Sequence, residues 1–314
     1  MKQYLIKRLF YLIPVMFGVS IITFGLINLA PGDPAEIILR SSGVEPTLEA
    51  VDALREELGL NDPVYIQYGR WFRDVLHLDL GQSYRTGRPV AEEIFSRFPA
   101  TLELTVAAIF FMLLISIPSG ILAALHRHAF VDHLSRIWAL AGASLPGFWL
   151  GLLLIYYFSV KLGIFPVMGR GGLDHLVLPA VTLGFGMAAT YARLLRASML
   201  EVLGQDYIKV ARARGLKEKL IVGRHALKNA LLPVVTAFGM SFGHLLGGAV
   251  IVETIFAWPG VGKFFVDAIF NRDYPVIQGY ALFMAVVFVI VNLLVDIAYV
   301  FLDPRIRLER GRQV

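Results

Sequence analysis

Long apolar runs separated by short polar breaks dominate this chain. A helix needs about 20 apolar residues to cross a hydrocarbon layer roughly 30 Å thick, at 1.5 Å of rise per residue. Six runs qualify, near residues 9–30, 101–125, 137–160, 176–192, 229–252 and 278–301. The pattern predicts an all-α integral membrane protein with six transmembrane helices. The fourth run is the shortest and carries Pro179, Gly184 and Gly186. Membrane helices tolerate such residues where neighbouring helices support the backbone. Lys2, Lys7 and Arg8 precede the first run, as they would in a secretory signal. Its apolar stretch is longer than the roughly 7–15 residues of a signal core, and no small-x-small cleavage pattern follows, so a retained span is expected.

Between the first two runs lies a long polar segment, residues 31–97. Leu48, Val51, Leu54 and Leu58 have helical spacing within 44–60, with Thr47 placed as N-cap. Residues 63–80 predict a second helix rich in aromatics. This segment reads either as a small cap on the helix ends or as a docking surface, and the two are compatible.

Composition supports the membrane assignment. The chain has 314 residues, of which 57% are hydrophobic and 17% charged, and its mean hydropathy is +0.66. Soluble domains carry about 25% charged residues. Cysteine is absent, which excludes disulfides, thiolate metal sites and cysteine nucleophiles. The net charge is +5, but the basic residues sit beside apolar spans, so no nucleic-acid partner is expected. Their distribution sets the topology. With the N-terminus inside, the inner tails and loops carry eighteen Lys and Arg and the short outer loops carry four. Both termini are therefore expected in the cytoplasm, with 31–97 outside.

Polar groups inside spans are candidates for function, because an unpaired charge in hydrocarbon is costly. Glu103 lies near the outer end of the second run. Asp296 lies four residues after Asn292, on one helix face. His244 is flanked by Gly243, Gly247 and Gly248. These three are the candidates for a substrate pathway, with satisfied interhelical hydrogen bonds as the competing role. His126, His128 and His133 cluster on an inner loop, but Asp132 is the only carboxylate near them. No metal site is assigned. The stretch PGVGKF (259–264) mimics part of a phosphate-binding loop, but Ala257 and Phe264 stand where Gly and Ser or Thr are needed. Trp258, Pro259 and Gly260 instead mark a tightly turned or re-entrant outer gate, with Phe256 and Trp258 at the membrane interface.

The inner loop between runs four and five is long and basic. Its sequence at 206–233 is DYIKVARARGLKEKLIVGRHALKNALLP. Small residues Ala211, Ala213 and Gly215 would let a short helix approach a partner closely, ringed by Arg212, Arg214, Lys217 and Lys219. The A-R-A-R-G run followed by N-A-L-L-P resembles the signature loop of binding-protein-dependent ABC importer permeases. APGDPA (30–35), FPATLELT (98–105), VETIFAWPGVGKFFVDAIFNRDYPVIQG (252–279) and LDPRIR (302–307) extend that resemblance along nearly the whole chain, toward the peptide and nickel branch. Two departures stand out. The usual Glu-Ala-Ala opening is Lys209-Val210-Ala211, and the distance from Gly215 to Pro233 is longer than in sugar-importer permeases.

The resemblance implies a type I ABC importer transmembrane fold over 98–302, preceded by the tail and helix of 1–30 and the periplasmic helical segment 31–97. A cytoplasmic tail, 303–314, follows. It implies a coupling helix near Val210–Lys219, with Val210, Ala211, Arg212, Ala213, Arg214, Gly215, Leu216, Lys217 and Pro233 as its site residues. The implied partners are a second permease subunit, two ATP-binding subunits, a periplasmic or lipid-anchored substrate-binding protein, and membrane lipid in the bacterial inner membrane. The chain itself holds no cofactor and is no enzyme; ATP and Mg belong to the partner subunits. GRGGLDHLVLPA (169–180) and AIFNRDYPVIQ (268–278) look closer to nickel permeases than to dipeptide ones. A nickel chelate is therefore the expected cargo, with di- or oligopeptides the alternative. A membrane receptor or scaffold without transport is the remote one.

Overall fold

The structure, a computed structural model, describes residues 2–29, 32–41 and 43–302. The tail 303–314, with LDPRIR from Asp303 onward, lies outside the described residues. Thirteen helices follow one another, and no β-strand is present among the described residues. They fall into two compact units. One combines residues up to Ala100 with Gly260–Leu293, and the other holds Thr101–Pro259 and the residues from Leu294.

In the first unit, α1 (Lys2–Leu29) is followed by α2 (Pro34–Ser41), α3 (Leu48–Glu57) and α4 (Val64–Leu76). Thr47 caps α3 as expected, accepting the Ala50 N–H at 3.3 Å. Helix α4 packs along α1 rather than only on its end. Tyr68 and Phe72 meet Phe17 edge-on, Trp71 meets Phe24, and the Ser20 and Tyr68 hydroxyls are 2.8 Å apart. Aromatic edge contacts of this kind add about 0.5–1.5 kcal/mol each beyond burial. The same unit holds the first turns of α5 (Val90–Leu125), all of α12 (Val261–Asn271), and α13 (Tyr274–Leu302) to Leu293. The turn at Trp258–Gly260 does not lead into a re-entrant loop. Gly260 caps an ordinary amphipathic helix, α12, stapled by a Lys263–Asp267 pair at 2.5 Å.

The second unit is a bundle around α8 (Leu173–Leu203). Its other members are α6 (Phe130–Ser144), α7 (Gly147–Leu154, continuing as a π-helix over Ile155–Lys161), α9 (Asp206–Ala213), α10 (Glu218–Leu220, leading into a π-helix over Ile221–Ala226) and α11 (Leu227–Ile255). Close approach is possible because α8 meets its neighbours through small residues. A methyl at Gly184 would sit 2.6 Å from the Ala108 carbonyl oxygen, and one at Gly142 would sit 2.5 Å from the Ala189 Cβ. The core gathers Met112, Tyr191, Leu195 and Met199 with Ile208, Ile221 and Val234.

Among the described residues, three helices are long and apolar enough to cross a membrane: Val90–Leu125, Leu173–Leu203 and Tyr274–Val295. Two bent pairs raise the count to as many as five. One pair joins α1 to α2 through a 75° bend. The other joins α6 to α7 through a 105° bend. The expected third span, 137–160, is thus broken. Leu145 and Pro146 adopt extended backbone, and proline supplies no N–H to continue the ladder. The fifth expected span falls in α11, whose described side chains give an apolar run at Leu245–Ile255. Helices run further than hydropathy predicts. The second span begins at Val90 and the fourth continues to Leu203, because amphipathic turns extend past the apolar window.

Candidate functional site

Two places in the second unit concentrate the polar groups of interest, one around α9 and one at the junction of α5, α11 and the segment before α8.

Helix α9 spans Asp206–Ala213, not 210–219. Ile208 and Ala211, three apart, are buried in the core beside Leu195, Met199 and Ile221. The opposite face exposes Lys209, Val210, Arg212 and Ala213. Of the small residues, Ala211 packs into the core and Ala213 faces outward. The helix ends in a paired-hydrogen-bond turn: Leu216 N–H reaches Ala211 O at 3.3 Å and Gly215 N–H reaches Arg212 O at 2.9 Å. Gly215 closes that turn at φ +76°, with open space around its Cα. It serves as a left-handed helix stop. Arg214, Leu216 and Lys217 follow in the exposed turn. Arg212 ties the turn to Glu218 at 2.6 Å, and that bond holds the Glu218 carboxyl below its ordinary pKa. Asn229 donates to the Tyr207 hydroxyl at 2.8 Å, joining α9 to the start of α11. Pro233 lies inside α11 and is exposed.

At the other site, Phe256 and Trp258 follow α11. Neither sits at an exposed interface: Trp258 is fully buried and Phe256 nearly so. The chain turns inward there because Ala257 takes φ +47° and Trp258 N–H bonds to Glu253 O at 2.8 Å. Gly169 N–H donates to Phe256 O at 2.8 Å. Pro259 is exposed and Gly260 buried. Glu253 is fully buried and accepts the Thr101 hydroxyl at 2.6 Å. Sequence reasoning passed over it, although a Glu beside Val252 at the end of an apolar run was a visible signal. Glu103 is not an open pathway group. Arg170 donates to its carboxylate from Nε at 2.8 Å and Nη2 at 2.5 Å, and lies 6.0 Å from the Trp258 ring. The segment 169–180 thus carries packing and pairing roles, including a His175 ring contact to Gly169 O at 3.3 Å.

A second buried acid lies toward the far end of α8. Asp132 is fully buried and receives Arg196 in a two-pronged pair at 2.6 and 2.7 Å, plus the His128 N–H at 3.0 Å. No group of three metal-ligating side chains occurs among the described residues, so the histidines at 126, 128 and 133 form no metal site there. His244 lies in α11 and Asp296 in α13, with their side chains outside the described residues.

Residues 116–308 match the family described as "Binding-protein-dependent transport system inner membrane component", and residues 1–105 match its N-terminal companion. The chain is 42% identical to a dipeptide transport system permease protein of Alkalihalophilus pseudofirmus, covering 98% of this chain and 100% of the relative. It is 44% identical to a glutathione transport system permease protein of Escherichia coli, covering 98% and 99%. Among solved structures, an inward-facing MetNI methionine ABC transporter chain superposes with a TM-score of 0.56 at 21% identity, over 67% of this chain and 96% of that one. That likeness speaks to the fold.

Proposed function

Because the chain belongs to the family of binding-protein-dependent transport system inner membrane components, we propose that it is the permease of an ATP-driven importer of short peptides, working by alternating access. The observation that carries the substrate class is identity above 40% along nearly the whole chain to permeases named for a dipeptide and for glutathione.

The engine is assigned to α9. Its exposed basic face, Lys209 to Lys217, is the docking surface for a cytoplasmic ATPase. Its buried face, Ile208 and Ala211, seats it in the core of α8 and α11. A displacement of α9 is thereby handed to both long helices without an intervening flexible linker. The coupling residues are Val210, Ala211, Arg212, Ala213, Arg214, Gly215, Leu216 and Lys217, with Pro233 further along α11. ATP and Mg are held by two partner ATPases, a second permease completes the pore, and a binding protein delivers cargo to the opposite face. Both termini are cytoplasmic in this scheme, following the Lys and Arg asymmetry. The Glu253–Thr101 bond and the Arg170–Trp258 contact brace the turn at Trp258–Gly260, the candidate outer gate.

The test is uptake by the reconstituted importer of a labelled dipeptide, labelled glutathione and nickel, each with its matching binding protein. Peptide uptake with nickel at background is expected. Nickel uptake without peptide uptake would return the cargo to a metal chelate.

A further inference from the structure

The first unit contains a cavity of about 500 Å³, lined among others by Gly32, Arg40, Tyr84, Arg85, Phe270 and Arg272. That is within the usual range for small-ligand sites, roughly 300–1,000 Å³. Its charges are not balanced. Asp33 and Glu36 also line it, but Asp33 is paired with Arg55 at 2.7 Å and Glu36 with Arg40 at 2.6 Å. Arg85 and Arg272 have no ion-pair partner among the described residues. Both are held from behind. The buried Asp273 carboxylate takes the Ser83 hydroxyl at 2.6 Å and the backbone N–H groups of Tyr84 and Arg85 at 3.1 and 3.4 Å. That fixes the loop while leaving the Arg85 side chain uncommitted. The Arg272 guanidinium lies over Gly32, where any side chain would meet it at 2.5 Å. Tyr84 stays protonated, its pKa pushed up to about 12 by burial and by the Asp273 charge, so it adds no negative charge.

The position of the cavity says what enters it. Residues 270–272 stand just before α13, which starts at Tyr274 and is apolar enough to cross a membrane. The cavity therefore lies beside one end of that span. Phe270 is 83% exposed beside it and Ile269 is also exposed, as aromatic and apolar side chains are at a lipid boundary.

We propose that this cavity binds the phosphodiester of an anionic phospholipid, with Arg85 and Arg272 as its two ligands and Phe270 against the adjoining acyl chains. Guanidinium forks match phosphate oxygens in pairs. The site does not depend on which cargo is carried.

The chain lacks cysteine, so Asn271→Cys gives a single fluorophore position in the lining. The full-length labelled chain is placed in phosphatidylcholine nanodiscs containing a minor share of brominated phosphatidylglycerol or of brominated phosphatidylcholine. Stronger quenching by the anionic lipid is expected, by about fivefold in relative affinity for each guanidinium. Arg85→Gln should lower that preference about fivefold and Arg85→Lys should restore most of it. Arg272→Asn, which suits the left-handed backbone at φ +55°, should act as Arg85→Gln does. Equal quenching by the two lipids in the unaltered pocket would overturn the proposal. Relief of quenching by soluble inorganic phosphate would make it a site for a free anion, and would overturn it equally.

Discussion

Removing one partner of the Asp132–Arg196 pair is the sharpest test of how the second unit is held. Asp132 is fully buried, whereas Arg196 keeps 22% of its side chain exposed. The pair has two short bonds and a third donor from His128. Breaking a buried pair by removing one member costs about 3–5 kcal/mol, mostly because the survivor is left uncompensated. The two ends of that range apply to different variants. Asp132→Asn leaves a guanidinium that still reaches water, so about 3 kcal/mol is expected. Arg196→Met leaves a carboxylate with no access to solvent, so about 4 kcal/mol is expected. The double variant should cost less than the sum, because neither orphaned charge remains. A coupling of about 2–3 kcal/mol follows, against the roughly 0.3–0.5 kcal/mol within which independent sites add. The assay is a double-mutant cycle by denaturing-detergent titration of the purified chain, backed by thermal unfolding. A loss of 3 kcal/mol corresponds to roughly 6–12 °C for a chain region of this size. Additive single variants, or an Arg196→Met that unfolds at the original temperature, would refute the reasoning.

Further expectations follow from the same geometry. Gly215→Val should strain the φ +76° turn by about 1–2 kcal/mol and lower peptide uptake, whereas Gly215→Asn should stay near the original level; equal uptake by the two, measured in proteoliposomes with the ATPases present, would remove the turn from the coupling scheme. Glu103→Gln should change stability by less than about 1 kcal/mol, since the Arg170 pair is 35% and 43% exposed, and should leave uptake within about twofold; a large loss of uptake in a folded variant would restore Glu103 to the pathway. Thr101→Val removes a donor from buried Glu253 and should cost about 1–3 kcal/mol by thermal unfolding. Tyr84, whose pKa is raised to about 12 by burial and the Asp273 charge, contributes stability that is intact below pH 10 and lost as pH rises through about 12; the difference in stability between the chain and Tyr84→Phe across that window reads it.

Much of this architecture was legible in the residues, for identifiable reasons. Long apolar runs located the helices because hydrocarbon demands them, and Thr47 announced a helix start because its hydroxyl suits an orphan N–H. What hydropathy missed depends on pairing across the chain. The break at Leu145–Pro146 falls inside an unbroken apolar run, so no change of polarity marks it. The pairing of Glu103 with Arg170 joins residues 67 apart, and no local pattern encodes it. Gly215 stands out in the sequence as small, but the backbone angle that its missing side chain permits shows only in the structure. The burial of Trp258 was missed because an aromatic after a span resembles a membrane anchor until Ala257 is seen to turn it inward.

The π-helical stretch at Ile221–Ala226 has a further consequence, for register. A π turn accommodates one residue more than an α turn. Deleting a single residue from this stretch would let it relax into the ordinary spiral with the upstream chain keeping its bearing, because the wide turn is what absorbs the extra residue. If the stretch were α-helical at its present length, everything upstream would rotate by about 100° and shift by roughly 1.5 Å relative to α11. The compass bearing of the charged face of α9 is thus set by a count of residues as much as by any contact. One residue lost from the α-helical part of α11 instead would keep every side chain of the docking face and aim it elsewhere.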